Sequence, residues 1–226
     1  MYFLGSRLNI KSVVLKIGGS IIFPNFPPNA DHFLRVANGV YSFIKKVKEH
    51  NPNAKIAITV GGGVPAKQYI KLAESLGLSA YVRDLIGISV TRINALILLN
   101  CVKELLEEKK GVKLYRAISS EIPTSAFKAL KMIDSSDIIF VGGYFPGQST
   151  IGPAALTAEA IKADLLLIAT DVPGVFTKDP TKDPSAKKIT QIRVKELKNL
   201  LIEQEAKPGT YKVCLLYTSP SPRDRG

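Results

Sequence analysis

Short apolar runs alternate with longer amphipathic ones along most of the chain. The short runs are rich in β-branched residues and end at glycine, proline or a polar turn, so each predicts a buried strand. The predicted strands cover residues 12–17, 54–60, 137–142 and 164–170. The longer runs have apolar positions spaced three and four apart, which indicates helices. The predicted helices cover about residues 31–49, 65–76, 89–109, 153–163 and 195–204.

Strands that alternate with helices of this length are typical of βαβ units, in which consecutive strands run parallel and helices cover both faces of the sheet. The sequence therefore predicts an α/β protein with a mostly parallel central sheet. We see no internal repeat and no linker, which favours one domain. The final stretch, CLLYTSPSPRDRG, has three close prolines and does not continue the pattern. We expect a domain over residues 1–213 and a non-native tail over residues 214–226.

Composition favours a globular protein. In 226 residues, 46% are hydrophobic, which is ample for a buried core. The longest apolar stretches, ALILLNCV and DLLLIAT, are shorter than the roughly 20 residues that span a membrane. The N-terminus has no basic segment followed by a long apolar one, so we expect a cytoplasmic protein without a membrane partner. The two cysteines, Cys101 and Cys214, have neither a disulfide pattern nor metal-ligand spacing, and Cys101 is expected in the core.

The net charge of +12 suits nucleic acid, an anionic surface or a phosphorylated substrate, and does not choose among them. Lysine and arginine are spread along predicted helix faces with glutamate neighbours, as in VKELLEEKKGVK. This arrangement is typical of solvated faces. No basic stretch is interleaved with aromatic residues, so we expect no nucleic-acid partner.

Glycine-rich turns follow three of the predicted strands. They are KIGGS at residues 16–20, VGGGVPAK at 60–67 and VGGYFPGQST at 141–150. Ligands of open α/β sheets bind beyond the carboxyl ends of the strands, where backbone N–H groups and helix N-termini attract anions. A single Gly-Gly pair often marks only a tight turn, but three such turns together predict a phosphate-binding site.

Lys16 is the candidate charge for phosphate chemistry. No G-x-x-x-x-G-K-[ST] motif is present, and no G-x-G-x-x-G motif opens a helix, so a different phosphate site is needed. Phosphoryl transfer depends mainly on positioning and on positive charge near the transferring group. Lys16 lies in an otherwise apolar strand, where an unpaired buried charge would be costly. The alternative interpretation is a lysine at the strand end that reaches solvent.

Several segments together resemble the archaeal type of UMP kinase, in the amino acid kinase superfamily. They are LKIGGS, VGGGVPAKQYIKLAE, RDLIGISVTRINA, GGYFPGQST, KADLLLIATDVPGVFTKDPTKDPSAKKI and PGTY, between residue 12 and about residue 211. The resemblance implies a three-layer α/β/α fold, transfer of the ATP γ-phosphoryl group to UMP with Mg²⁺ carried by ATP, and a homohexamer. That family continues past GTY with further elements, so the C-terminal part is expected to be incomplete.

The resemblance also implies roles for individual residues on the ATP side. Lys16 resembles the lysine that neutralises the transferring phosphoryl group. The residues implied to contact ATP are Gly18, Gly19, Ser20, Gly63, Lys67, Thr170, Phe176 and Asp179. Lys67 stands where the family commonly has arginine. Because Gly62 resembles a contact of the UMP phosphate, we expect donor and acceptor phosphates to meet over the triple-glycine turn and to exclude side chains from it.

On the UMP side, Asp84 resembles the carboxylate that accepts hydrogen bonds from the ribose. Its alternative role is the N-cap of a helix that begins with LIGISV. The loop that resembles the uridylate-binding loop consists of Tyr144, Phe145, Pro146, Gly147, Gln148, Ser149 and Thr150. The hydroxyls of Ser149 and Thr150 are expected to contact the uracil edge. Ile151 then replaces an aspartate that many relatives carry.

Three other functions stay open from the sequence. Isopentenyl phosphate kinase, of the same superfamily, uses a histidine near its second glycine turn, whereas His32 and His50 lie in or beside the first predicted helix and are expected at the surface. A non-catalytic nucleotide-sensing domain is left open by Ile151, although Lys16 argues against it. A basic nucleic-acid-binding protein is the third alternative.

Overall fold

The chain divides into two units, Met1–Ala169 and Thr170–Gly226. In the computed structural model, the described residues are 2–3, 6–7, 10–108, 118–170, 174–177, 183–193 and 196. The predicted helix over 195–204 therefore lies outside the described residues apart from position 196, and so does the predicted tail over 214–226.

A parallel four-stranded sheet forms the centre of the first unit. It follows a short antiparallel pair, β1 (Tyr2–Phe3) and β2 (Ser6–Arg7). The strands of the sheet are β3 (Ser12–Ile17), β4 (Lys55–Val60), β5 (Ile138–Val141) and β6 (Leu165–Ala169), in the spatial order β5-β4-β3-β6. The four strands predicted from the apolar runs are confirmed. β3, β4 and β5 are mostly buried between two helical layers, and β6 is partly buried along its length.

Helices cover both faces of this sheet. They are α1 (Gly19–Ile22), α2 (Ala30–His50), α3 (Gly63–Ser75), α4 (Ala80–Glu108), α5 (Ala126–Ser135) and α6 (Ile151–Ala160). One core lies between the sheet and α1, α2 and α4, and includes Ile58, Phe140 and Leu98. A second core lies between the opposite face and α5 and α6, and includes Val14 and Ala154. The predicted three-layer α/β/α arrangement is confirmed.

Three helices differ from the prediction, and one of them, α1, has only four residues and is too short to show a helical period. Helix α4 begins at Ala80, not near residue 89. Gly87 lies within its first turns, and a Cβ there would lie 3.1 Å from Cδ1 of Ile70, so this glycine serves the close approach of α4 to α3. Helix α5 was not predicted, because it is short and follows a polar stretch. Its signal is Ser125, whose hydroxyl caps the helix by accepting from the backbone N–H of Lys128.

Helix α4 is also the described helix that is long and apolar enough to cross a membrane by length and composition. It joins apolar stretches that are too short when counted separately. Its position against α2, α3 and the sheet, and its buried polar residues Asp84, Thr91 and Asn94, instead indicate a core helix.

Carboxylates tie together the amino ends of the strands. The carboxylate of Asp137 accepts hydrogen bonds from Nζ of Lys48 and Nζ of Lys55, both at 2.9 Å. Burial acts to raise the pKa of Asp137, but these two hydrogen bonds prevail and hold it below its usual value. The carboxylate of Asp164 accepts from the backbone N–H groups of Ser12 and Lys11, which lowers its pKa and joins the start of β6 to β3.

In the second unit, β7 (Val175–Phe176) pairs antiparallel with β8 (Lys188–Ile189). The backbone N–H of Thr177 donates to the carbonyl of Lys187 at 2.9 Å and extends this hairpin. Gly174 precedes it with φ of +135°, a conformation that favours glycine.

Candidate functional site

The first two glycine turns pack directly against each other at the carboxyl ends of β3 and β4. A Cβ on Gly19 would lie 2.3 Å from the backbone nitrogen of Gly63, and one on Gly61 would lie 2.5 Å from the nitrogen of Gly19. Gly63 has φ of +65°, and a Cβ there would lie 2.7 Å from the carbonyl oxygen of Phe23. Side chains are therefore excluded by backbone contacts between the turns.

This packing corrects the expectation that phosphates alone account for the triple glycine. The space beside Gly19, Gly61 and Gly63 is occupied by neighbouring backbone. The glycines instead bring two strand-to-helix turns into contact, so the backbone around both turns forms one surface. Whether that surface attracts an anion depends on its N–H groups and on the cations near it.

Gly18 is the exception, because side chains converge on the space above it. A Cβ on Gly18 would lie 3.3 Å from the carbonyl oxygen of Ala169, 3.6 Å from Oγ of Ser20 and 3.8 Å from Nζ of Lys16. Gly18 itself has φ of −60° and ψ of 145°, which other residues adopt readily. Its missing Cβ therefore leaves room for two polar groups where β3 ends.

Lys16 is buried rather than solvent-exposed. Its residue exposure is 8%, and its register neighbours are Thr59 on β4 and Ile168 on β6. The alternative interpretation of a strand-end lysine that reaches solvent is therefore wrong. The ammonium group lies beside the Gly18 turn, where a positive charge attracts an anion more strongly than it would in bulk water.

Asn94, on α4, orients the triple-glycine turn. Its buried side-chain amide donates to the carbonyl oxygens of Gly61 and Gly62 at 2.9 and 3.1 Å. In a trans peptide the N–H group points opposite to the carbonyl. Asn94 thus turns the N–H groups of Gly62 and Gly63 away from α4. The N-terminus of α3, which begins at Gly63, adds partial positive charge on the same turn.

Thr91 and Arg92 connect α4 to the third glycine turn. The hydroxyl of Thr91 accepts from the backbone N–H of Gly143 at 2.7 Å. Its methyl carbon would lie 3.5 Å from a Cβ on Gly62. Nε of Arg92 donates to the carbonyl of Gly143 at 3.0 Å. A Cβ on Gly142 would lie 2.9 Å from the backbone nitrogen of Arg92, so this glycine also serves helix packing. Thr91 therefore contacts both turns.

Asp84 lies inside α4, five residues into the helix from Ala80, so the N-cap alternative is wrong. Its carboxylate accepts from the backbone N–H of Gly147 at 2.6 Å, and the residue is buried. Gly147 has φ of +83°, which favours glycine at this turn of the loop. The structure thus places Asp84 against the loop that resembles the uridylate-binding loop.

Within that loop, the side chain of Tyr144 points into the second core. Its hydroxyl bonds to that of Thr157 at 2.8 Å, and burial raises the pKa of Tyr144 to about 12. The expected ligand contact at this position is therefore restricted to its backbone. Phe145, Gly147 and Gln148 are exposed, and the others, Pro146, Ser149 and Thr150, are partly buried. The Thr150 hydroxyl does not cap α6.

The remaining predicted residues are exposed, belong to the second unit or lie outside the described residues. Ser20 and Lys67 are exposed, on α1 and α3 respectively. Thr170 and Phe176 belong to the second unit, Phe176 in β7, and Asp179 lies outside the described residues. The structure thus brings together Lys16, the glycine turns, Asp84 and the loop at residues 144–150.

Sequence reasoning missed Thr91, Arg92 and Asn94. The signal that marks Thr91 and Asn94 is a polar residue on the buried face of an apolar helix, at positions seven and ten after Asp84. His32 also differs from the expectation of a surface group, because it is half-buried and its Nε2 lies 2.7 Å from the carbonyl oxygen of Ile21.

No group of three or more His, Cys, Asp or Glu side chains that could hold a metal occurs among the described residues.

Comparisons with known proteins show the family to which the chain belongs. The sequence matches the amino acid kinase family over residues 11–217. It is 36% identical over 198 residues to the uridylate kinase of Methanococcoides burtonii, covering 88% of this chain and 76% of that protein. It is 36% identical over 201 residues to the uridylate kinase of Methanocaldococcus jannaschii, covering 89% and 81%. The crystal structure of uridylate kinase from Archaeoglobus fulgidus superposes with a TM-score of 0.68 at 30% identity, covering 86% and 79%.

Proposed function

The chain belongs to the amino acid kinase family, and we propose that it transfers the γ-phosphoryl group of ATP to UMP, giving ADP and UDP. In the cell this reaction would take place in the cytoplasm and supply UDP for pyrimidine nucleotide synthesis. The observation that carries the proposal is the convergence of Lys16 and Ser20 above Gly18, beside two glycine turns in contact.

The reaction needs a donor and an acceptor phosphate in line. An oxygen of the UMP phosphate attacks the γ-phosphorus, the bond to the β,γ-bridging oxygen breaks, and its electron pair stays on ADP. The ammonium of Lys16 offsets negative charge on the transferring group, and the backbone N–H groups of Gly62 and Gly63 bind phosphate oxygens. Mg²⁺, when bound with ATP, neutralises further charge on the β- and γ-phosphates.

UMP is proposed to bind beside α4. Asp84 holds the loop at Gly147 through one carboxylate oxygen and accepts from the ribose when UMP is present. The loop from Tyr144 to Thr150 then covers the uracil, with Ser149 and Thr150 as the hydroxyl-bearing contacts. Thr170, Phe176 and Asp179 are the proposed contacts of the adenosine, and Lys67 and Ser20 those of the ATP phosphates.

A phosphate-acceptor screen tests this proposal. The chain is incubated with ATP and Mg²⁺ and, in separate reactions, UMP, CMP, dUMP or isopentenyl phosphate, and ADP release is followed. We expect kcat/KM to be greatest for UMP. A preference for isopentenyl phosphate would assign the site to another kinase of the same superfamily, and ATP binding with no transfer to any acceptor would indicate a nucleotide sensor.

We further propose a homohexamer, which the resemblance to archaeal UMP kinases implies, and the apolar side chains that α3 and α4 expose support an interface between subunits. Ile93, Leu96 and Ile97 lie on one face of α4 and are 42% to 56% exposed, and Leu72 and Leu76 of α3 are more than half exposed. Exposed apolar faces of this kind mark protein interfaces. Sedimentation of Ile93→Glu should give a smaller mass than the unaltered protein, whereas Phe127→Glu, on α5, should leave the mass unchanged.

A further inference from the structure

Thr59 carries a buried hydroxyl that the fold does not use. The residue is 0% exposed, and among the described residues its Oγ1 has no hydrogen-bond partner. An unpaired buried hydroxyl destabilises a folded protein. Valine has nearly the same shape and the same β-branched preference for strands without the polar atom. Packing therefore does not explain a threonine at this position.

The position of Thr59 relates it to Lys16. In the register of the parallel strands β3 and β4, Thr59 is the residue directly opposite Lys16, so both side chains project from the same face of the sheet. Each lies two residues before a glycine turn, Lys16 before Gly18 and Thr59 before Gly61. The other register neighbour of Thr59 is Val141, which is fully buried and apolar.

We propose that Thr59 is a positioning residue for phosphoryl transfer, whose hydroxyl accepts a hydrogen bond from the Lys16 ammonium when that group engages the transferring phosphoryl. This inference rests on the proposed function. An ammonium has three N–H donors, and a threonine hydroxyl offers two acceptor lone pairs. An acceptor on the neighbouring strand restricts the directions that the ammonium can take, which preorganises it toward the Gly18 turn.

If Thr59 is a positioning residue, removing its hydroxyl should lower the rate without lowering stability, which a purely structural role would not predict. Thr59→Val removes the unpaired hydroxyl from the resting protein, so its melting temperature should equal or exceed that of the unaltered chain. The same change removes the acceptor from the engaged Lys16, so kcat should fall about tenfold, the effect expected for one hydrogen bond to a charged group. KM for UMP and for ATP should stay within about twofold, because the contact forms mainly in the transition state.

Two further variants control the experiment. Thr59→Ser keeps the hydroxyl and should restore kcat to within about threefold of the unaltered chain, because the same acceptor is present. Ile168→Val changes the register neighbour of Lys16 on the other side, β6, without adding or removing a polar atom, and should leave kcat unchanged.

The measurements are steady-state kinetics with UMP and ATP and thermal unfolding of the full chain. If the unaltered chain is active and Thr59→Val has the same kcat, the inference about Thr59 is overturned and the proposed function stands. A lower melting temperature in Thr59→Val would also overturn it, because the hydroxyl would then have a partner that stabilises the resting fold. If the unaltered chain phosphorylates none of the acceptors, the proposed function fails and this inference fails with it.

Discussion

Adjacent glycines at the end of β3 have different physical roles. Gly19 faces the backbone of Gly63, whereas the space above Gly18 receives the ends of Lys16 and Ser20. The backbone angles of Gly18 also suit alanine, and a methyl group there would lie 3.3 Å from the carbonyl oxygen of Ala169 and in ordinary contact with Ser20 and Lys16. The Gly-Gly pair thus combines one glycine that backbone packing requires with one that borders the proposed site.

We predict that Gly19→Ala lowers the free energy of unfolding by about 3 kcal/mol or more, because its Cβ overlaps backbone that cannot move away. Gly18→Ala should cost less than about 1 kcal/mol but lower kcat by at least about tenfold, because the methyl group would occupy the space beside Lys16 and Ser20 where a phosphate is proposed to bind. Urea unfolding and the UMP kinase assay measure the two effects. Equal loss of stability in both variants would contradict this division of roles.

Asp84 combines a structural contact with a proposed substrate contact. We predict that Asp84→Asn raises the Kd of UMP about tenfold and that of ATP less than twofold, since the ribose and Gly147 both lose a charged acceptor. Isothermal titration measures both affinities, with Asp134→Asn, an exposed change on α5, as the control. Parallel weakening of UMP and ATP binding together with a lower melting temperature would reduce Asp84 to an anchor of the loop.

At the scale of elements, α4 organises the site. Its buried face carries Asp84, Thr91 and Asn94, which bond to the loop and to two glycine turns. These contacts explain why polar residues interrupt the apolar segment DLIGISVTRINA. They are spaced so that each meets a turn that lies far away in the sequence. A substitution of Thr91 or Asn94 is therefore expected to change the orientation of the turns without removing a proposed ligand contact.

The same helix shows what sequence reasoning could and could not predict. The four strands follow from apolar runs that end at glycine, proline or a polar turn. Because parallel strands have their carboxyl ends on the same side of the sheet, the glycine turns are also predicted to lie together. The start of α4 was missed because Gly87 weakens the helical pattern, although packing against Ile70 overrides it. The close contact of Gly19 with Gly63 was missed because backbone-to-backbone packing leaves no signal other than the glycines themselves.

At the amino ends of the strands, Asp137 joins α2 to β4 through Lys48 and Lys55. We predict that Asp137→Asn lowers the free energy of unfolding at pH 7 by about 1 kcal/mol, a value kept small because the carboxylate is partly exposed. The folded-state pKa of Asp137 is lowered, so its contribution is present above the unfolded-state pKa and is lost as pH falls through the folded-state value.

Urea unfolding at pH 7, 5 and 3 measures this dependence. The difference between Asp137→Asn and the unaltered chain should be largest at pH 7 and should shrink at pH 3, below the usual aspartate pKa of about 3.9. Asp134→Asn, without these lysines, should show a smaller difference at every pH. A difference for Asp137→Asn that grows toward pH 3 would reverse the assigned sign.

At the scale of the whole molecule, the amino ends and the carboxyl ends of the parallel strands have different roles, the first in stability and the second in the proposed chemistry. At the amino ends, Asp137 pairs with two lysines and Asp164 accepts from two backbone N–H groups, and these contacts hold helix and strands together. At the carboxyl ends, Lys16 lies beside glycine turns that α4 orients through hydrogen bonds. Changes at the amino ends should therefore affect unfolding more than turnover, whereas replacing Lys16 or Thr59 near the carboxyl ends should affect turnover more than unfolding.

The most direct measurement of the central claim is kcat for UMP phosphorylation in Lys16→Ala, beside Lys45→Ala, an exposed lysine of α2. We predict that Lys16→Ala lowers kcat roughly 100-fold or more with little change in the Kd of UMP, because its charge acts mainly in the transition state. Lys45→Ala should retain the unaltered rate. If Lys16→Ala turned over UMP as fast as Lys45→Ala, phosphoryl transfer would not take place beside Lys16 at the carboxyl ends of the strands, as we propose.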